Sequence, residues 1–113
     1  MPIYSHQVWR RYASPVWSDI RQSNTLNRAA ARDEKDERHI CPLQLDLIAR
    51  CLELWTNPDD IVLDPFAGIG SVPVMALQMG RRAIGLELKE SYYAQMILNC
   101  KKEEETQNDE DQH

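Results

Sequence analysis

The segment Ile61-Val62-Leu63-Asp64-Pro65-Phe66-Ala67-Gly68-Ile69-Gly70-Ser71 leaves few folds open to this chain. Its first three residues are apolar without interruption, the pattern of a short strand buried in a parallel sheet. Two glycines spaced two apart then suit a tight turn, because glycine tolerates backbone angles closed to other residues. Ser71-Val72-Pro73 opens a helix, with Ser71 as its expected cap. Val74, Met75, Leu77, Gln78 and Met79 continue that helix to Gly80, which suits its C-terminus. Arg81 and Arg82 lead into a second strand, Ala83-Ile84-Gly85-Leu86, which ends on Glu87. Strand, helix and strand with such short links form a right-handed parallel unit, and a parallel sheet needs cover on both faces. Two strands alone make a poor sheet, so the pattern reads as an α/β fold that is incomplete in this chain.

The flanks extend this reading. Leu43, Leu47, Ile48, Cys51, Leu52 and Trp55 fall at helical spacing, predicting a helix that begins close to Pro42 and stops by Asn57-Pro58. A further helix is predicted from Tyr92 to about Lys102, with Tyr93, Met96, Ile97 and Cys100 turned inward. The expected division is a basic, aromatic, loop-rich arm over 1–38, an α/β part over 39–102, and an acidic, disordered tail over 103–113. Residues 1–32 carry Arg10, Arg11, Arg21, Arg28 and Arg32 against Asp19 alone. Such an arm can lie on a phosphate backbone or simply solvate an irregular surface. The net charge of −5 is concentrated in residues 101–113, where six acids face two lysines. Three cysteines at no metal spacing read as reduced thiols, and no metal site is expected. No apolar run approaches the ~18 residues of a membrane span, so the expected location is the cytoplasm.

A glycine turn between strand and helix aims backbone N–H groups at a ligand, and the helix N-terminus there favours an anion. Gly68 and Gly70 match the first two positions of a dinucleotide fingerprint, but Pro73 stands in the third. Asp64 ends the strand just ahead of the turn, where its carboxylate repels a pyrophosphate and so disfavours NAD or ATP. It suits a ligand with an ammonium or sulfonium beside a carboxylate. Glu87 follows 23 positions later at the end of the next strand, where an acid can accept from two ribose hydroxyls. Either acid alone also reads as a surface loop carboxylate. Together, on consecutive strand ends, they describe a site for a cationic, phosphate-free adenosine compound, which S-adenosyl-L-methionine is.

These residues resemble a known family. Asp64-Pro65-Phe66-Ala67-Gly68-Ile69-Gly70-Ser71 is similar to cofactor motif I, D-P-F-x-G-x-G-[ST], of the DNA amino-methyltransferases that modify N6 of adenine or N4 of cytosine. Gly85-Leu86-Glu87-Leu88-Lys89-Glu90-Ser91-Tyr92-Tyr93 resembles the following G-x-E-x-x-x-x-Y segment, and His39-Ile40-Cys41-Pro42-Leu43-Gln44 resembles motif X. Ile40 and Cys41 depart from the usual polar lead-in of motif X. The resemblance implies a partial Rossmann-like methyltransferase fold, with a few parallel strands flanked by helices, and S-adenosyl-L-methionine as cofactor. It implies a site of His39, Ile40, Cys41, Asp64, Pro65, Phe66, Ala67, Gly68, Gly70, Ser71 and Glu87. The motif order resembles the permuted arrangement, and the arm resembles phage- and prophage-type adenine methylases.

The implied function is cofactor binding within a DNA methyltransferase acting on adenine N6, or on cytosine N4 as the second choice. The setting would be restriction-modification, phage self-protection or regulation. The family's catalytic motif, [DNS]-P-P-[YFW], is absent from this sequence, so no catalytic residue is assigned. In the family that motif holds the flipped target base. Implied partners are DNA, with the arm as a candidate contact, and a second polypeptide carrying the catalytic motif, or a homodimer. The alternative is a non-catalytic remnant or a subunit that completes another chain. A dehydrogenase is the third reading, opposed by Asp64 and Pro73.

Overall fold

The computed structural model describes residues 3–26 and 42–112. Helix α1 (Ile3–Tyr12) and helix α2 (Leu45–Trp55) precede strand β1 (Ile61–Asp64), helix α3 (Ser71–Gln78), strand β2 (Arg82–Gly85) and helix α4 (Glu90–Asp111). The strands pair in parallel, Ile61 opposite Arg82 and Asp64 opposite Gly85. This is the predicted strand–helix–strand unit, with its two strand ends side by side.

Helix α3 lies at the centre, against both strands, α2 and α4. Ile48 and Leu52 of α2 pack on Met75 and Ala76 of α3, with Val62 and Ala83 closing the core from the sheet. Ile69 and Tyr92 form a second small cluster beside Leu26. Side chains alternate across a strand, so the neighbours of Val62 and Ala83 along each strand face the other way. Ile61, Leu63, Ile84 and Leu86 are all more than half exposed there. Among the described residues the sheet is therefore covered on one face only. No helix of the described residues is long and apolar enough to cross a membrane.

Five expectations need correction. The arm is not merely loop-rich: α1 is a ten-residue helix, held to α2 where the Tyr4 hydroxyl donates to Glu53 Oε1 at 3.0 Å. Beyond it, Trp17 Nε1 donates to the Tyr12 carbonyl, and the Arg50 guanidinium stacks over both rings while gripping Asp19 at 2.7 Å. Helix α2 begins at Leu45, three residues later than expected, because the first helical N–H donates to the Asn24 carbonyl of the arm. Gly70, not Ser71, is the cap of α3, in a left-handed conformation with no side-chain capping bond. The tail predicted to be disordered from Glu103 continues α4 to Asp111. Its Glu, Lys and Gln residues are good helix formers, and Gln107 Nε2 donates to the Leu77 carbonyl at 2.7 Å, tying the extension to the end of α3.

Helix α4 also sits in a different rotation from that predicted. Its buried line is Tyr92, Met96 and Asn99, while Tyr93 is about half exposed. Burying Asn99 follows from the turn it reaches.

Candidate functional site

Strand β1 delivers Asp64 to its C-terminal end, opposite Gly85. Asp64 Oδ1 accepts from the Phe66 N–H at 3.0 Å, which bends the chain out of the strand. The Leu86 N–H donates to the Asp64 carbonyl and the Ala67 N–H to the Leu86 carbonyl, so the two strand ends stay joined past the ladder. Glu87 then reaches across. Its Oε2 accepts from the Gly68 N–H at 2.7 Å and its Oε1 from the Lys89 N–H at 3.1 Å. The acid that ends β2 is thus tied directly to the glycine turn.

The two glycines serve different ends. Gly68 has φ +58° and nothing within 4 Å of where a Cβ would stand, so its backbone is open to a ligand. Gly70, at φ +95°, faces Met96, whose Cγ would lie 2.7 Å from an added Cβ. Gly85 is equally confined by Met96, Ala67 and Pro73, with the Met96 sulfur 2.9 Å from an added Cβ. The first keeps space for a ligand; the other two let helix and sheet close up.

A cleft of about 550 Å³ opens at the turn, lined by Pro42, Leu43, Leu63, Asp64, Phe66, Ala67, Gly68, Ile69, Ser71 and Val72. It brings together Asp64, Phe66, Ala67, Gly68 and Ser71 of the predicted site. Glu87 meets the turn through Gly68 without lining the cleft, Gly70 is buried behind it, and Pro65 is exposed. His39, Ile40 and Cys41 lie outside the described residues, although Pro42, the next residue, lines the cleft. Phe66 is 88% exposed, so the cleft is open on its outer side. A groove of about 650 Å³ between α1 and the end of α2 is larger, but among the described residues its only acid is Glu53 and the glycine turn is not part of it.

Sequence reasoning missed Asn99 and the part Met96 plays at the turn. Asn99 is 6% exposed, and its Nδ2 donates to the Ile69 carbonyl within the turn at 2.9 Å. No sequence signal marks it, since a lone polar residue on a helix is ordinarily read as solvent-facing.

The arrangement has one carboxylate at the end of each of two neighbouring parallel strands and a glycine turn between them. An open cleft beside an acid suits a ligand carrying both positive charge and hydrogen-bonding groups. Such a unit is one strand–helix–strand unit of an α/β fold.

The chain belongs to the N6/N4 DNA methylase family, whose profile matches residues 4–98. The type II methyltransferase M1.MboII of Moraxella bovis is 40% identical over 63 residues, covering 54% of this chain and 24% of that protein. M.HindIII of Haemophilus influenzae is 29% identical over 97 residues, covering 80% of this chain and 31% of that protein. The solved structure of TTHA0409 from Thermus thermophilus, complexed with S-adenosyl-L-methionine, shares 27% identity at a TM-score of 0.63. That match covers 91% of this chain and 34% of the other. The chain thus spans less than a third of the length of these two curated relatives.

Proposed function

We propose that this chain binds S-adenosyl-L-methionine as the cofactor-holding part of a site-specific DNA methyltransferase acting on the exocyclic amine of adenine, with cytosine N4 as the second choice. The observation that carries the proposal is the glycine turn held between Asp64 and Glu87, with Glu87 bonded to Gly68. Asp64 faces the ammonium of the methionine part, the turn from Phe66 to Gly70 lies beneath it, and Glu87 accepts from the ribose. Each Glu87 oxygen has lone pairs beyond those used by Gly68 and Lys89. His39, Ile40 and Cys41 belong to the methionine end in this reading. When bound, the cofactor supplies an electrophilic methyl on a sulfonium.

This chain's residues bind and orient; none of them holds the target base. The proposal therefore assigns base binding to a further segment carrying the [DNS]-P-P-[YFW] motif. The open sheet face of Ile61, Leu63, Ile84 and Leu86 is where we place the body that carries it. Such a body, on a second polypeptide or elsewhere in the enzyme, is favoured over a second copy of this chain because the matched region is only 24% and 31% of the two relatives' lengths. A non-catalytic subunit with the same face occupied is the other reading that this exposure supports. DNA contact by the arm falls to Arg10 and Arg11 among the described residues, since Arg21 is paired with Asp46 at 2.7 Å. The permuted order, the phage or prophage setting and the cytoplasmic location belong to the same proposal.

Calorimetric titration with S-adenosyl-L-methionine, alongside size measurement, tests the assignment. We expect weak binding, lost in Asp64→Ala and in Glu87→Ala, and no methyl transfer to DNA by the chain alone. Thermal stabilisation by NAD without stabilisation by S-adenosyl-L-methionine would refute the cofactor. Tritium transfer to plasmid DNA by the purified chain would refute the need for a further segment, and a homodimer closed through the sheet face would reassign that face.

A further inference from the structure

Three hydrogen bonds run in series through the glycine turn and begin at a residue outside every motif. Asn99 Nδ2 donates to the Ile69 carbonyl at 2.9 Å. That carbonyl and the Gly70 N–H belong to one planar peptide, and the Gly70 N–H donates to the Ala67 carbonyl at 2.9 Å. The Ala67 carbonyl in turn shares its peptide with the Gly68 N–H, which donates to Glu87 Oε2 at 2.7 Å. Every link points the same way: each peptide accepts on its carbonyl and donates from its N–H. Hydrogen bonds in such a chain polarise one another, most strongly where water is excluded. Asn99 and Ile69 are 6% and 4% exposed, so the first link is shielded.

The turn needs such a tie. Its two glycines have φ +58° and +95°, and glycine is the residue whose peptide planes rotate most freely. Helix α4 supplies both a wall, through Met96 against Gly70, and the tie, through Asn99 one turn later. Asn99 Oδ1 accepts from Gln95 Nε2 at 2.9 Å, which orients the amide with its donor toward Ile69.

We infer that Asn99 is a positioning residue of the cofactor site: it locks the Ile69–Gly70 peptide and, through it, the Gly68 peptide and the Glu87 carboxylate. Its effect on affinity rests on the cofactor reading above; its effect on the turn does not.

The test is Asn99→Leu in the full chain, with Asn99→Ala as a second variant that also lacks the donor. S-adenosyl-L-methionine affinity is expected to fall about tenfold in both, the order of one buried hydrogen bond. The Gly68 amide resonance, two peptide planes away, is expected to move with it. Leu52→Ala, in the separate core of Ile48, Met75 and Ala76, serves as control: it loses stability but keeps the affinity and the Gly68 resonance. In the wild type, the scalar coupling across the bond from Asn99 Nδ2 to the Ile69 carbonyl detects the tie without any variant. A folded Asn99→Leu chain with unchanged affinity and an unmoved Gly68 resonance would overturn the inference, as would absence of that coupling. If the wild type fails to bind S-adenosyl-L-methionine, the cofactor reading falls, and the coupling and the Gly68 resonance still decide the role of Asn99.

Discussion

Replacing Gly70 by alanine brings two costs together, and replacing Gly80 brings only one. Both residues have positive φ, +95° and +78°, so a side chain at either position meets a left-handed penalty of roughly 1–2 kcal/mol. Around Gly80 nothing lies within 4 Å of an added Cβ, whereas at Gly70 the Met96 Cγ, Cβ and Cα would lie at 2.7, 3.3 and 3.4 Å. The Cγ can rotate aside, but the Cβ and Cα move only if α4 moves. Moving α4 strains the Asn99 bond to Ile69. Overpacking of this kind costs about 1–3 kcal/mol. Gly70→Ala should therefore cost roughly 2–5 kcal/mol, against about 1–2 kcal/mol for Gly80→Ala. Urea unfolding followed by far-ultraviolet circular dichroism reads the difference. With a slope of about 1–2 kcal/mol per molar urea, Gly70→Ala should unfold roughly 1–2 M lower than Gly80→Ala at an unchanged slope. Met96→Ala removes the clashing Cγ, so the Gly70→Ala and Met96→Ala losses should fall short of additive in the double variant. Equal midpoints for Gly70→Ala and Gly80→Ala would show that Met96 does not confine the turn.

Other parts of the structure give further expectations. Glu87→Ala leaves the Gly68 and Lys89 N–H groups without their acceptor; stability should drop by about 1–3 kcal/mol in urea unfolding, and Glu87→Gln should recover part of it. An unchanged midpoint for Glu87→Ala would mean that water replaces the carboxylate at no cost. Asp46 is held well below the usual carboxyl range by the Arg21 side chain, then by the Arg21 N–H and Asn24, and Asp19 is lowered by Arg50. For a lowered folded-state value the contribution is complete above the unfolded value of about 3.9 and fades as pH falls through the folded one. Trp17 fluorescence, isolated by Trp9→Phe and Trp55→Phe, should therefore report release of the 12–24 segment only below about pH 4, and the double variant Asp19→Asn, Asp46→Asn should lose that acid step; its persistence in the double variant would refute the two pairings. Burial pushes the thiols of Cys51 and Cys100 upward, so both should react with a disulfide reagent near pH 8 more slowly than a free thiol of about pKa 8.5. Reaction at the free-thiol rate would show that these cysteines are not shielded.

Much of the site was legible because it is written in local backbone demands. Ile61-Val62-Leu63 can form a strand, Gly68 and Gly70 allow a turn of positive φ, and the distance from Asp64 to Glu87 is one strand–helix–strand unit. Each of these is a property of a few consecutive residues. They place two acids on adjacent strand ends without reference to anything else in the chain.

What distant partners decide was not legible. Arg21 and Arg50 look alike as surface charges, yet they serve to bind the arm to α2. Leu45 starts its helix because the Asn24 carbonyl is there to take its N–H. Local apolar pattern favoured a line through Tyr93, Met96, Ile97 and Cys100, and the same helix turned a fraction further buries Tyr92, Met96 and Asn99 instead. The difference is the Ile69 carbonyl, a buried acceptor that only the folded turn creates. A carbonyl left unpaired there would cost about 1–3 kcal/mol. So the sequence alone set the strands, the turn and its two acids, whereas tertiary contact chose which side of α4 closes on them.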